Sequence, residues 1–520
     1  MGILKIMLLF LLGCASLSFA AMDDYQKNVQ TQCSFTRYPE LCLDTLKGLG
    51  SGNQQIDFMS TLVSKTIYET KLPSSFFTNL ISSNLEVQET KHANSIIEYC
   101  QDLMSMSIQR LEQSLLALQI SSKTKKQDIQ TWISAALTFQ QTCKDSADII
   151  GPSMEQISKK MDYLSRLGSN PLTLVNRMTG DVQNVTNQKR DFPSWLTRRH
   201  RRLLQASKIE ANAVVAKDGT GDYQTISEAI NAASGGRFVI YVKGGVYNEK
   251  IRTSKDDITL IGDGKYSTII VGDDSAAGGY DTHETATFSI EGDRFIARDI
   301  GFQNKAGPNG DQAVALYVNS DKAVFFRCSM DGYQDTVYAV ALRQFYRECD
   351  IYGTIDFIFG NAAAVFQDCQ LVLHRPRKGA SFNAILANGR SDPGQNTGFS
   401  VQNCQITVSS DFAPVKHDYD SYLGRPWKAY SRSVVMQSTL DDAISSRGWV
   451  EWSGGESSRT KTLYFAEFAN NGPGAETSGR VTWPGFHVIG ADEAAEFTVS
   501  NFIAGTSWLP SVGVTFTPGL

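Results

Sequence analysis

Residues 331–360, "DGYQDTVYAVALRQFYRECDIYGTIDFIFG", carry two aspartates, Asp335 and Asp356, 21 residues apart. The second lies in "TIDFIFG", among apolar neighbours that favour burial, where an unpaired carboxylate is costly. The spacing belongs to a repeat. Cys328 ends "VFFRC", Cys349 "FYREC", Cys369 "VFQDC" and Cys404 "SVQNC", at intervals of 21, 20 and 35 residues. The last interval has room for one coil plus the insertion "HRPRKGASFNAILANGRSDPGQNTG". Short Val-, Ile-, Phe- and Tyr-rich runs alternating with turn residues at a period near 20 predict the stacked coils of a parallel β-helix. A β-sandwich would need regular hairpin punctuation, and the repeat has no regular Asn-Gly or Asp-Gly turns.

Both aspartates fall seven residues after a repeat cysteine, so stacking places them on adjacent coils, roughly 4.8 Å apart. Gln312 and Gln334, 22 residues apart, form a second ladder beside them. Two ionised carboxylates roughly 5 Å apart repel by about 3 kcal/mol at an effective dielectric near 20, or about two pK units. One then holds its proton while the other ionises, which separates an acid from a nucleophile or base. The glutamine amides could donate to a developing oxyanion, and Arg425 in "YLGRPW" is a candidate to hold Asp356 ionised. The same pattern also fits an aspartate ladder capping turns, or a calcium site.

The chain of 520 residues is long enough for two domains, with the hydrophobic (42%) and charged (20%) content of a folded protein. "MGILKIMLLFLLGCASLSFA", residues 1–20, reads as a signal peptide with a basic start, a short apolar core and a Ser18-x-Ala20 cleavage site. No later stretch has the length of a membrane span, so a secreted protein with no membrane partner is expected. Of nine cysteines, Cys14 leaves with the signal, and four early and four late ones remain for two separately stapled domains. None forms a CxxC pair or meets histidines at zinc spacing, so no metal or cofactor is expected.

Residues 21–175 read as an all-α helical bundle. In "NSIIEYCQDLMSMSIQRLEQSLLAL" the positions Ile97, Met104, Ile108, Leu111, Leu115 and Leu118 make one apolar stripe. Residues 176–204 form a linker carrying "RRHRRLL", a processing site at Arg201, Arg202, Leu203 and Leu204, with a glycosylation sequon upstream at Asn184. In a secreted chain that basic run calls for a processing protease and not for nucleic acid. The β-rich part spans 205–520 and holds 27 basic and 36 acidic residues, a net of nine negative charges. Such a surface should be repelled by polyanions at low salt. On residues alone, a glycosidic hydrolase with paired carboxylates, a lyase, or a binding module all remain open.

Five motifs in order then give a specific resemblance: Gly245-x-Tyr247-x-Glu249, "QAVAL" at 312–316, "GYQDT" at 332–336, "GTIDFIFG" at 353–360 and "LGRPW" at 423–427. The chain resembles plant pectin methylesterases (pectinesterases) that carry an N-terminal inhibitor-like pro-domain, over nearly all its length after the signal. The resemblance implies a four-helix inhibitor-like bundle followed by a right-handed parallel β-helix. It implies hydrolysis of methyl esters on the C6 carboxyls of galacturonate units in pectin, by a secreted, monomeric cell-wall enzyme without cofactor. Its partners would be pectin, its own pro-domain and proteinaceous inhibitors. By motif match Asp356 is the nucleophile, Asp335 the proton donor and Gln334 the oxyanion stabiliser. Thr282, Gln312, Arg425 and Trp427 contact substrate. Family pairings give disulfides Cys33–Cys42, Cys100–Cys143, Cys328–Cys349 and Cys369–Cys404. In "YAVALRQFYR", Val340 stands where many relatives carry a histidine.

Overall fold

The computed structural model describes residues 25–47, 55–72, 76, 87–120, 126–178, 210–380, 382–452 and 458–520. The chain divides into two compact units, 1–184 and 185–520. The signal segment, Asn184 and the Arg201–Leu204 site lie outside the described residues. Among the described residues, no helix is long and apolar enough to cross a membrane.

The first unit is a helical bundle. Helices Gln55–Thr70, Val87–Gln119, Lys126–Ile150 and Glu155–Asn176 pack on one another, with the short helix Pro39–Leu46 against the first and last of them. The stripe read from the sequence faces inward. Ile97, Met104, Leu111 and Leu118 are buried, and Ile108 and Leu115 pack partly buried against the core. Disulfides Cys33–Cys42 and Cys100–Cys143 staple the bundle.

The second unit is a parallel β-helix. Each coil passes through an eleven-, then an eight-, then a seven-stranded sheet, and every named strand pairing is parallel. The repeat has a backbone cause. The residue before each repeat cysteine (Arg327, Glu348, Asp368, Asn403) turns the corner between the first two sheets in the left-handed region, with φ of 51–54°. Asp and Asn tolerate that region better than most residues. The cysteine that follows is buried inside the coil. Aromatic rings fill the interior and stack from coil to coil, Phe325 on Tyr346 at 4.9 Å and Tyr346 on Phe366 at 4.5 Å. Helix Ile226–Ala232, held by a Thr225/Glu228 capping box, joins this core at its N-terminal end. Val499, Ile503 and Leu509 from the C-terminal segment cover Val324, Phe345 and Val365 on the outside of the eleven-stranded sheet.

The expected bonds Cys328–Cys349 and Cys369–Cys404 are not formed, and all four residues are buried free thiols. They occupy equivalent positions on successive coils, so their Cβ atoms are held about one strand spacing apart, roughly 4.8 Å. A disulfide needs about 3.5–4.5 Å. The sulfurs donate instead to backbone carbonyls, Cys349 to Phe325 O at 3.4 Å and Cys404 to Phe366 O at 3.3 Å.

Candidate active site

The segments joining the eight-stranded to the seven-stranded sheet form one edge of the β-helix, and the candidate residues collect there. Gln312 precedes strand Leu316–Val318, Gln334 and Asp335 precede Val337–Ala339, and Asp356 lies on Ile355–Gly360. Val337 pairs with Ile358 and Tyr338 with Phe359, a 21-residue register that sets Asp335 beside Asp356. The Asp335 amide donates to the Ile355 carbonyl at 3.1 Å. Gln312 and Gln334 form a parallel bridge, so the two ladders run side by side.

Asp335 and Asp356 both have left-handed backbones, φ 64° and 52°, a conformation that costs a non-glycine residue and recurs at functional positions. At Asp356 the register with the next strand slips between Ile355 and Ile358, and such an irregularity re-aims a side chain. Gly353 permits the turn, because a Cβ there would lie 2.1 Å from the Phe357 Cβ and 2.8 Å from the Tyr333 carbonyl.

Electrostatics separate the two carboxylates. Arg425 grips Asp356 with a two-pronged contact, Nε to Oδ1 at 2.8 Å and Nη2 to Oδ2 at 2.6 Å. Its guanidinium lies 4.0 Å from the Trp452 ring centroid and 5.3 Å from that of Phe382. Burial raises the Asp356 carboxyl above its ordinary value, and Arg425 pulls it back. Burial pushes Asp335 well above the carboxylate range, the Asp356 charge adds to that push, and Arg425 offsets it in part. The Asp335 carboxyl and the Gln312 and Gln334 amides have no hydrogen-bond partner among the described residues. The arrangement therefore offers an anchored carboxylate, a neighbouring carboxyl that burial and the adjacent charge push toward its protonated form, and two uncommitted amides. These are the parts of a nucleophile, an acid and an oxyanion site.

Trp427 has its ring 6.1 Å from Phe359, and its face lies so close to Gly389 that a Cβ there would meet Cε3 at 2.7 Å. Thr282 lies on the same edge, one coil before Gln312. Its carbonyl accepts from Thr285 Oγ1 at 2.7 Å, and the same hydroxyl accepts from the Val314 amide at 3.0 Å. Val340 is buried, so the departure from the relatives' histidine adds no exposed side chain. Sequence reasoning missed the aromatic ladder Tyr317–Tyr338–Phe359, with rings 5.2 and 4.2 Å apart. Its signal was available, since these residues repeat at intervals of 21 and two of them stand three residues after an aspartate. Trp452 was also missed and had no such signal. Among the described residues, no group of three or more His, Cys, Asp or Glu could hold a metal ion.

Comparison with known proteins agrees along the whole chain. The family model "Pectinesterase" matches residues 212–506, and "Plant invertase/pectin methylesterase inhibitor" matches 27–174. The chain is 49% identical over 488 residues to probable pectinesterase/pectinesterase inhibitor 54 of Arabidopsis thaliana, covering 91% of this chain and 90% of that one. It is 42% identical over 524 residues to pectinesterase 2 of Citrus sinensis, covering 99% and 100%. Among solved structures, pectin methylesterase from carrot aligns with a TM-score of 0.59 at 48% identity, covering 61% of this chain and all of that one. The Aspergillus niger enzyme aligns with a TM-score of 0.51 at 28% identity, covering 59% and 97%.

Proposed function

The chain belongs to the pectinesterase family and is a pectin methylesterase with an inhibitor-like helical domain ahead of the catalytic one, and on that premise we propose that it works through a covalent two-aspartate mechanism. One observation carries this reading. Arg425 engages Asp356 alone by hydrogen bonds, leaving Asp335 as the unpaired, strongly raised carboxyl one coil away.

The ionised Asp356 attacks the C6 ester carbonyl of a methylated galacturonate unit. The oxyanion of the tetrahedral intermediate accepts hydrogen bonds from the Gln334 and Gln312 amides. Collapse breaks the bond to methoxide, which takes the proton of Asp335 and departs as methanol. An acyl-enzyme anhydride remains on Asp356. Asp335, now ionised, takes a proton from water, and the resulting hydroxide attacks the acyl carbon and frees ionised Asp356 and the C6 carboxylic acid, which loses its proton to solvent to give the carboxylate. Asp335 ends protonated, ready for the next turn. Arg425 holds Asp356 ionised and aimed, while Trp427 and the Tyr338–Phe359 ladder offer apolar faces to the sugar rings. Thr282 contacts the substrate farther along the same edge.

By the same reading the chain is secreted to the cell wall as a glycosylated precursor, with residues 1–20 as signal, 21–175 as pro-domain and 176–204 as linker. A protease cuts at Arg201–Leu204 to release a monomeric enzyme, 205–520. The test is methanol release from highly methylated pectin with polymer length followed in the same tubes. Methanol without chain shortening is expected. Shortened chains would move the carboxylate pair to glycosidic chemistry.

A further inference from the structure

Strands Arg432–Met436 and Tyr464–Phe468 pair with Arg432 opposite Tyr464, and each is entered from a segment outside the sheets. The first of these segments carries Arg425 and Trp427. The second holds the one-turn helix Arg459–Thr462. The 32-residue offset that pairs the strands also separates Trp427 from Arg459, so stacking sets the helix over the Trp427 segment.

That segment is tied at both ends to the preceding coil. The Arg425 amide donates to the Leu386 carbonyl at 2.9 Å, and the Tyr430 amide to the Arg390 carbonyl at 3.1 Å. Pro426, between them, has no N–H to give. The middle of the segment is held from the following coil. Arg459 Nη1 donates to the Trp427 carbonyl at 3.1 Å and lies 3.5 Å from that of Pro426, and the Thr462 hydroxyl donates to the Ala429 carbonyl. The helix itself has a fixed base. Leu463, the next residue, is buried in the β-helix core, and the Tyr464 amide donates to the Ser431 carbonyl at 2.8 Å. Trp427 is thus held from two coils, its ring against Gly389 and its backbone by Arg459.

We propose that Arg459 is a positioning residue for the esterase reaction: with Thr462 beside it, it fixes the backbone of Trp427 and so the face that Trp427 offers to a sugar ring. The inference rests on the pectin methylesterase reading and on Trp427 as a substrate contact. Arg425 is held without this clamp, its backbone by Leu386 and its guanidinium by Asp356 and the Trp452 ring. Loss of Arg459 therefore acts on substrate binding and spares the ionisation of Asp356.

The test is steady-state methanol release from highly methylated pectin by the full chain, read as KM, kcat and the acid limb of kcat/KM, with Tm showing that each variant is folded. Arg459→Met should raise KM about three- to tenfold, inside the roughly hundredfold that an ångström of misplacement can cost, with kcat and the acid limb little changed. Arg459→Lys, which can still donate to the Trp427 carbonyl, should restore most of the KM. Trp427→Ala should raise KM by itself, and adding Arg459→Met to it should raise KM no further, because a residue that acts through another adds nothing once that other is gone. If Arg459→Met does not fold, Thr462→Val takes its place in the same cycle, with a smaller rise in KM expected. An effect of Arg459→Met that persists in the Trp427→Ala background would overturn the proposal and mark Arg459 as a direct substrate contact. An unchanged KM in the folded variant, or a displaced acid limb, would also overturn it, while methanol release by the unmodified chain would leave the esterase reading intact. Absence of methanol from the unmodified chain would overturn both.

Discussion

Replacing Arg425 by alanine separates its electrostatic role from substrate contact. The guanidinium makes two short charge-assisted contacts with a carboxylate whose side chain is 6% exposed, and is itself 11% exposed. Hydrogen bonds to charged groups contribute about 1.5–3 kcal/mol each, and breaking one partner of a buried pair costs about 3–5 kcal/mol. At about 1.36 kcal/mol per pK unit, removing Arg425 should raise Asp356 by a further two to four units or so. Burial already raises Asp356, and Arg425 is what lowers it, so the shift is upward. Because the ionised form attacks, the acid limb of kcat/KM for methanol release should move to higher pH by the same amount. Activity should fall about 10²- to 10⁴-fold below that limb and recover partly as pH rises. Arg425→Lys keeps the charge but not the fork and should lie between. A uniform loss at every pH, with the limb unmoved, would refute the electrostatic argument and leave Arg425 as a substrate contact only.

Other outcomes follow from the same geometry. Asp335→Asn should cut kcat by about 10²–10⁴, the usual contribution of a positioned acid–base group. It should also raise Tm at neutral pH. A carboxyl whose folded value lies above its unfolded one stabilises the fold below the unfolded value and loses that contribution as pH rises, so the Tm gain should vanish in acid. Gln334→Ala should lower kcat by about 10²-fold with little change in KM, as for loss of an oxyanion donor, in steady-state methanol assays. Gly389→Ala should displace Trp427, raising KM more than it lowers kcat, because the added Cβ would sit 2.7 Å from the ring. Arg480→Met breaks a buried pair with Glu467, Nε to Oε1 at 2.8 Å, and should cost about 3–5 kcal/mol in urea unfolding.

The β-helix was legible because its repeat is marked: a cysteine closing a short apolar run, at intervals of 21, 20 and, across an insertion, 35 residues. From that period followed the pairing of Asp335 with Asp356 and of Gln312 with Gln334. Arg425 was different. It reaches Asp356 across 69 positions of chain, past an insertion that breaks the period, so no spacing placed it: the residues offered it only as a candidate cation, and the resemblance added its contact with substrate. The left-handed backbones of the two aspartates follow from corner geometry, which composition does not display. The cysteine bonds failed for the reason the fold succeeded, since strict stacking holds neighbouring Cβ atoms at strand spacing.

The central claim is that Asp356 forms the bond to the substrate. The direct measurement is kcat/KM for methanol release by Asp356→Ala beside the unmodified chain, with Tm showing that both are folded. The account predicts a loss of at least about 10⁴-fold, the scale of removing a covalent nucleophile. A folded Asp356→Ala variant within tenfold or so of the unmodified chain, well inside even the loss expected for a positioned acid–base group, would contradict it.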